Sequence, residues 1–150
     1  MSRSASWRAA LAVCALVLVF DQATKQAAID ALLGQEAVEL PLGFQLDYVT
    51  NTGIAFGLFS DGEGLVIAVT VLALGLLVGW FVSDPARPNL WLATGLLTGG
   101  ALGNLADRIR DGAVTDFIDP PSWPAFNIAD IAITVGVVIL LFTYMRPERK

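Results

Sequence analysis

Two stretches of this chain, residues 64–83 and 88–106, each run the length of a bilayer crossing without one ionisable side chain; Glu63 and Asp84 bound the first, Arg87 and Asp107 the second. A crossing takes about 20 mostly apolar residues, so both windows are long enough. A third window, residues 131–145, reaches that length only if its helix starts near Asn127, which places Asp130 in the first turn. The window at residues 9–20 is shorter, lying between Arg8 and Asp21. Twelve residues at about 1.5 Å each reach only ~18 Å of the ~30 Å hydrocarbon layer, so that helix must continue through Asp21 and Lys25 toward Ile29. Charge then enters the span. The expectation is a mostly α-helical membrane protein of one domain over 1–150. Its four transmembrane helices lie near 8–28, 64–83, 88–106 and 127–145, with external segments near 30–62 and 107–126. The composition agrees, with 55% hydrophobic and 15% charged residues against about 45–50% and 25% for soluble domains.

Arg3 and Arg8 ahead of an apolar run resemble a cleaved signal peptide, and LAVC at 11–14 resembles a lipid-attachment box. No small-x-small cleavage site follows, and Val13 stands where the box wants a small residue, so an uncleaved span with Cys14 as a buried thiol is the expectation. Orientation follows from Lys and Arg in the connections. Arg3, Arg8, Arg87, Arg146, Arg149 and Lys150 fall on one side, and Lys25, Arg108 and Arg110 on the other. The richer side, with both termini, is read as cytoplasmic. Trp7, Trp80, Trp91 and Trp123 all fall near span ends, where amphipathic rings prefer to sit.

In the first external segment Phe44, Leu46 and Tyr48 alternate with Gln45 and Asp47, a half-buried strand pattern, and Asn51-Thr52-Gly53 reads as a turn. A small hairpin or sheet at the membrane surface is expected there. The second segment has a β-like run at 114–118, then Pro120, Pro121 and Pro124, and reads as a loop.

With 9 Lys plus Arg, 14 Asp plus Glu and a net charge of −5, the chain lacks the basic footprint of a nucleic-acid binder. It has no histidine and one cysteine, which removes Ser-His-Asp and Cys-His catalysis, the commonest zinc ligand and any internal disulfide. Carboxylates, Lys and Asn remain. Ionisable residues within or capping spans are expensive and so are functional candidates. Asp21 and Lys25, four apart, share a helix face and neutralise each other; by themselves they read as a structural ion pair. Asn104 and Asp107, followed by Arg108, are three apart at the end of the third span. Asn127 and Asp130 repeat that spacing at the start of the fourth, where helix capping is the plainer reading. Asp116 sits between apolar neighbours in VTDF. The topology brings all of these, with Asn51, to one membrane surface. Two carboxylates meeting at low dielectric share a proton, giving a general acid and a general base that hydrolyse a peptide without metal, His or Ser. Spacing alone leaves Asp107 and Asp116 equal as the partner of Asp130.

DQATK at 21–25, NTGIAF at 51–56, GGALGNLADR at 99–108, VTDF at 114–117 and FNIAD at 126–130 resemble, in order and spacing, the five boxes of the bacterial lipoprotein signal peptidases, type II. The likeness covers essentially the whole chain. It implies a membrane aspartic endopeptidase of the bacterial inner membrane that removes the signal peptide from prolipoproteins, on the amino side of a diacylglyceryl cysteine. By that resemblance Asp116 and Asp130 are catalytic, and Asp21, Lys25, Asn51, Gly53, Asn104, Asp107, Arg108 and Asn127 support the site. No metal or cofactor is implied. The partners are the lipid-modified substrate and membrane lipids, and the enzyme is expected to be a monomer. Phe44, Tyr48, Phe56 and Phe59 would cradle the substrate, with Gly53 and Gly57 allowing close backbone approach. An ion pathway would want acids spread through the bilayer depth, whereas these cluster at one surface. A magnesium-dependent transferase would want an Asp-rich motif; Asp61-Gly62 and Asp111-Gly112 are isolated and read as turns.

Overall fold

The computed structural model describes residues 1–53 and 62–145, the side chains of residues 62 and 63 excepted. Phe56, Gly57, Phe59, Asp61, Arg146, Arg149 and Lys150 lie outside the described residues.

The first helix, α1 (Arg3–Leu32), opens on Ser2, whose hydroxyl accepts from the Ala5 N–H at 3.3 Å. It is longer at both ends than the expected 8–28. It passes through Asp21 and Lys25 because both are buried against another helix, where their charges find partners. Helices α2 (Gly62–Ser83), α3 (Leu90–Asp111) and α4 (Ile128–Met145) follow. The third runs past the expected end at Ala106, since Asp107 is buried too, and stops at Gly112. Gly112 adopts φ 76 and its N–H donates to the Arg108 carbonyl, so Asp111-Gly112 is a helix cap.

Among the described residues three helices, Arg3–Leu32, Gly64–Ser83 and Ile128–Met145, are long and apolar enough to cross a membrane. The remaining one, α3, carries Asn104, Asp107, Arg108 and Arg110 in its second half and packs against the other three. Its slimness permits that central position. A Cβ on Gly99 would meet the Cys14 carbonyl of α1 at 2.8 Å, and one on Gly100 would meet the Ala129 carbonyl of α4 at 2.6 Å. Small residues let membrane helices approach this closely. Cys14 itself is half-buried rather than buried. At the opposite end of the bundle from the sheet, Trp7 stacks edge-on to Phe81 at 4.7 Å and Trp80 tilts onto Tyr144 at 4.4 Å, with the Arg87 guanidinium 4.0 Å over the Tyr144 ring.

The connections build one antiparallel sheet in the order β1-β2-β3, from β1 (Val38–Glu39), β2 (Gln45–Asn51) and β3 (Val114–Asp119). The two external segments, expected as a hairpin and a separate loop, are therefore joined. Phe117 of β3 gives the physical reason: it is buried against Ala28 and Leu32 of α1, with Leu46 and Tyr48 of β2 alongside. Positions 45–49 of β2 are all half-buried rather than alternating, because β2 is the central strand. The proline stretch is tied back as well, since Ile118 and Phe126 exchange backbone hydrogen bonds at 2.9 and 3.0 Å.

Replacing Gly100 by Val is expected to overpack the α3–α4 contact and cost about 1–3 kcal/mol. Gly75, with nothing within 4 Å of its Cβ position, is the matched control. Thermal unfolding in detergent should show a lowered midpoint for Gly100→Val and little change for Gly75→Val.

Candidate active site

Lys25 is 1% exposed, and its ammonium spends all three protons inside the protein. It contacts Asp21 Oδ2 at 2.9 Å, Asp107 Oδ2 at 2.8 Å and Asn104 Oδ1 at 2.8 Å. The sequence suggested a local ion pair four residues apart; the structure makes it a cross-link between α1 and α3. Asp21 also accepts from the Ala129 N–H at 2.9 Å, fixing the first turn of α4. Asp107 accepts from the Thr115 N–H at 3.3 Å, fixing β3, and from Gln22 at 2.9 Å. Arg110, itself half-exposed, reaches the same carboxylate at 3.4 Å. Two acids thus meet two cations, and Asp107 is fully committed.

Asp116 and Asp130 have no cation of their own among the described contacts. Asparagines hold them instead. Asn127 Nδ2 donates to Asp116 Oδ1 at 2.6 Å, and Asn51 Nδ2 donates to Asp116 Oδ2 at 2.9 Å. Asn104 Nδ2 donates to Asp130 Oδ1 at 2.9 Å, and the Asn127 N–H to Asp130 Oδ2 at 3.2 Å. Asn127 therefore touches both carboxylates. It also caps α4, its Oδ1 accepting from the Asp130 N–H at 3.1 Å, so the pair forms a reciprocal capping box. Capping and site-building, rival readings of the sequence, are one arrangement here. Asn104 joins the two halves: its oxygen receives Lys25 and Asn127 while its amide supports Asp130.

A one-residue bulge places Asn51. Leu46 pairs with Ile118, but Val49 pairs with Asp116, so β2 carries one extra residue between them. Without it Tyr48 would face Asp116, and the next residue on that face would be Thr50. With it, Asn51 shares the face of Asp116 and reaches its carboxylate. Gly53 follows at φ 74 and donates its N–H to Asn51 Oδ1 at 2.8 Å, closing a turn as expected. Burial raises the Asp116 carboxyl from 3.8 to about 6; hydrogen bonds from Asn51 and Asn127 and the Lys25 charge pull it down, and the nearby Asp130 charge pushes it up.

Arg108 stands apart from the dense network. A Cβ on Gly53 would lie 3.2 Å from its guanidinium, and its Nε is buried without a hydrogen-bond partner among the described residues. With Asn104 it forms the polar end of a cavity of about 350 Å³ between α2, α3 and α4, otherwise lined by residues such as Val69, Leu74, Leu97 and Ile133. The site thus opens onto an apolar chamber. Sequence reasoning missed Gln22, whose amide also reaches the Gly103 carbonyl at 3.3 Å, and the backbone of Thr115. Backbone donors leave no trace in residue type. Gln22 sits inside the DQATK box, where a neutral amide gives a weaker signal than the charged Asp21 and Lys25.

The chain resembles known proteins throughout. Residues 13–146 match the family model described as signal peptidase (SPase) II. The "Lipoprotein signal peptidase" of Pelotomaculum thermopropionicum is 45% identical over 92% of this chain and 92% of its own. That of Moorella thermoacetica is 42% identical over 91% of this chain and 93% of its own. A solved bacterial membrane enzyme, 33% identical, superposes over 91% of this chain and 92% of its own with a TM-score of 0.83.

Lys25→Met would leave Asp21 and Asp107 buried together with, among the described residues, only the half-exposed Arg110 to balance them. Breaking a buried pair in this way costs about 3–5 kcal/mol. Thermal unfolding in detergent is expected to show that loss, and Asp107→Asn in the same background should recover part of it by removing one of the stranded charges.

Proposed function

The chain belongs to the signal peptidase II family, and on that premise we propose how it works as an aspartic endopeptidase that removes signal peptides from diacylglyceryl prolipoproteins. The bond cleaved is on the amino side of the lipidated cysteine. Asp116 and Asp130 are the catalytic pair, sharing one proton: one carboxylate takes a proton from the attacking water while the other carboxyl gives its proton toward the scissile amide. The observation that carries this choice is the contrast in charge balance. Among the described residues, Asp21 and Asp107 are spent on Lys25, whereas Asp116 and Asp130 meet amide and backbone donors and are linked through Asn127. Asn51, Asn104 and Asn127 orient the two carboxylates, while Lys25 holds Asn104, Asp21 the first turn of α4 and Asp107 the strand β3. Gly53 lets the backbone pass close to Arg108.

All four helices span the bacterial inner membrane as one domain over residues 1–150, with both termini cytoplasmic and the sheet and carboxylates at the outer surface. The cavity between α2, α3 and α4 supports this reading, because an apolar chamber ending at Asn104 suits a lipid-anchored substrate whose acyl chains lie in the outer leaflet. Membrane lipid surrounds the protein, which acts as a monomer and needs no cofactor or metal. Lipid anchoring also localises the scissile bond, so the free peptide forfeits that entropic advantage.

Purified Asp116→Asn and Asp130→Asn should each lose cleavage of a diacylglyceryl prolipoprotein by about 10²–10⁴-fold, the span of acid–base catalysis, followed as the shortened product on a gel. Unlipidated precursor should be cleaved far more slowly by the native enzyme. Near-native activity in either variant would reject the pair.

The Asn51 hydrogen bond favours the ionised form of Asp116 and so lowers its pKa. Asn51→Ala removes it. The Asp116 titration then moves above its present value of about 6, and the limb of the kcat/KM profile that reports it is expected to shift to higher pH. A limb that stays in place or moves down would contradict the assignment.

A further inference from the structure

Leu42 occupies the left-handed region at φ 68, and 91% of its surface is exposed. Each condition disfavours leucine. A Cβ is strained in that region, where glycine sits freely, and an isobutyl group in water gains nothing. Leucine is favourable there once something apolar covers it. Its neighbour Gly43 lies against the proline stretch that follows β3, a Cβ there falling 3.4 Å from Pro121 Cγ. Two residues beyond Pro121 stands Trp123, 71% exposed and followed by Pro124. Prolines stiffen this stretch, and the contact at Gly43 seats the Pro41–Gly43 turn beside it. Val38 and Leu40, two apart on the adjoining edge, are exposed as well.

We propose that the Pro41–Gly43 turn and Trp123 form a wedge that enters the lipid of the outer leaflet, Leu42 in the upper acyl region and the indole among the headgroups. Lipid is the occupant because the wedge is carried at one end of a bundle whose helices leave apolar side chains such as Leu16, Leu72 and Phe142 bare on their outer faces. The sheet that carries it is clamped onto α1 through Phe117, Ala28 and Leu32, and that helix presents Leu11, Leu16 and Val19 bare on its flank. Tryptophan, with an apolar body and one donor, belongs at that boundary. Exposed Glu36 and Glu39 border the turn and oppose deeper entry. The wedge fixes the height of β2 and β3, and with it Asn51 and Asp116, relative to the acyl chains of the substrate. It is a positioning device and touches no reacting atom.

The inference rests on the spanning orientation described above, and the test separates the two. In a Cys14→Ala background, nitroxide labels are placed through Leu42→Cys, Trp123→Cys, Leu16→Cys and Glu36→Cys, and the proteins are reconstituted in phosphatidylcholine and phosphatidylglycerol vesicles. Collision with oxygen and with a water-soluble nickel chelate is then compared. The labels at 42 and 123 should favour oxygen severalfold over the label at 36, as the label at 16 does. Labels at 42 and 123 that match the one at 36 overturn the proposal. So does spin–spin broadening there, which would mean that a second copy covers the patch. A water-exposed label at 16 defeats the spanning reading, and this inference with it. Where Trp123→Cys fails to insert, native Trp123 with Trp7, Trp80 and Trp91 changed to Phe serves instead. Lipid with bromine high on its chains should quench it more than lipid brominated near the bilayer centre, and absence of quenching by either overturns the proposal.

Discussion

The ammonium of Lys25 is the constraint on which the rest of the structure depends. A lysine 1% exposed would be costly if unpaired, and here it is paired three times, with Asp21, Asp107 and Asn104. Those three partners lead outward to most of the site. Asp21 holds the start of α4 through the Ala129 N–H, Asp107 holds β3 through the Thr115 N–H, and Asn104 holds Asp130. Removing that one charge would loosen both the α1–α3 contact and the strand on which Asp116 rides. The glycine face of α3 is its necessary complement. Gly103 lies directly against the Asp21 carboxylate, so no larger residue fits between the helices at that level.

A division of labour between the acids follows from this arrangement. Charge neutralisation is concentrated on Asp21 and Asp107. Among the described residues Asp116 and Asp130 are left with neutral donors, which align their carboxylates. Burial without a dedicated cation is what raises Asp116 to about 6, within reach of proton transfer near neutral pH. Asparagine suits this task, because one amide accepts from Lys25 or a backbone N–H with its oxygen and donates to a carboxylate with its nitrogen. Asn104 and Asn127 both do so. The result is a proposed dyad tied to a rigid ion core yet electrostatically distinct from it.

Much of this was legible in the chain. Charge-free windows gave the helices, the absence of histidine turned attention to carboxylates, and the boxes carrying Asp21, Asn51, Asn104, Asp107, Asp116, Asn127 and Asp130 gave the family and named residues that the fold brings together. The helices and the family survive because they depend on residue type and local spacing, and the bilayer enforces both: lipid tolerates no unpaired charge, so each one inside a span marks a place where partners must converge.

Which of the acids Lys25 engages was decided only by the tertiary structure. Asp107 and Asp116 are equivalent by spacing, and they become different when α1 packs on α3 and delivers Lys25 to one of them. The joining of two external segments into one sheet depends on Phe117 finding Ala28 and Leu32, a contact between residues far apart in sequence. The bulge that turns Asn51 rather than Thr50 toward Asp116 leaves no sequence signal, because register is a relation between strands and neither strand encodes it alone. The helix ends at Leu32 and Asp111 likewise lie beyond the apolar windows, since burial against a neighbour, rather than hydropathy, decides how far a charged turn stays helical.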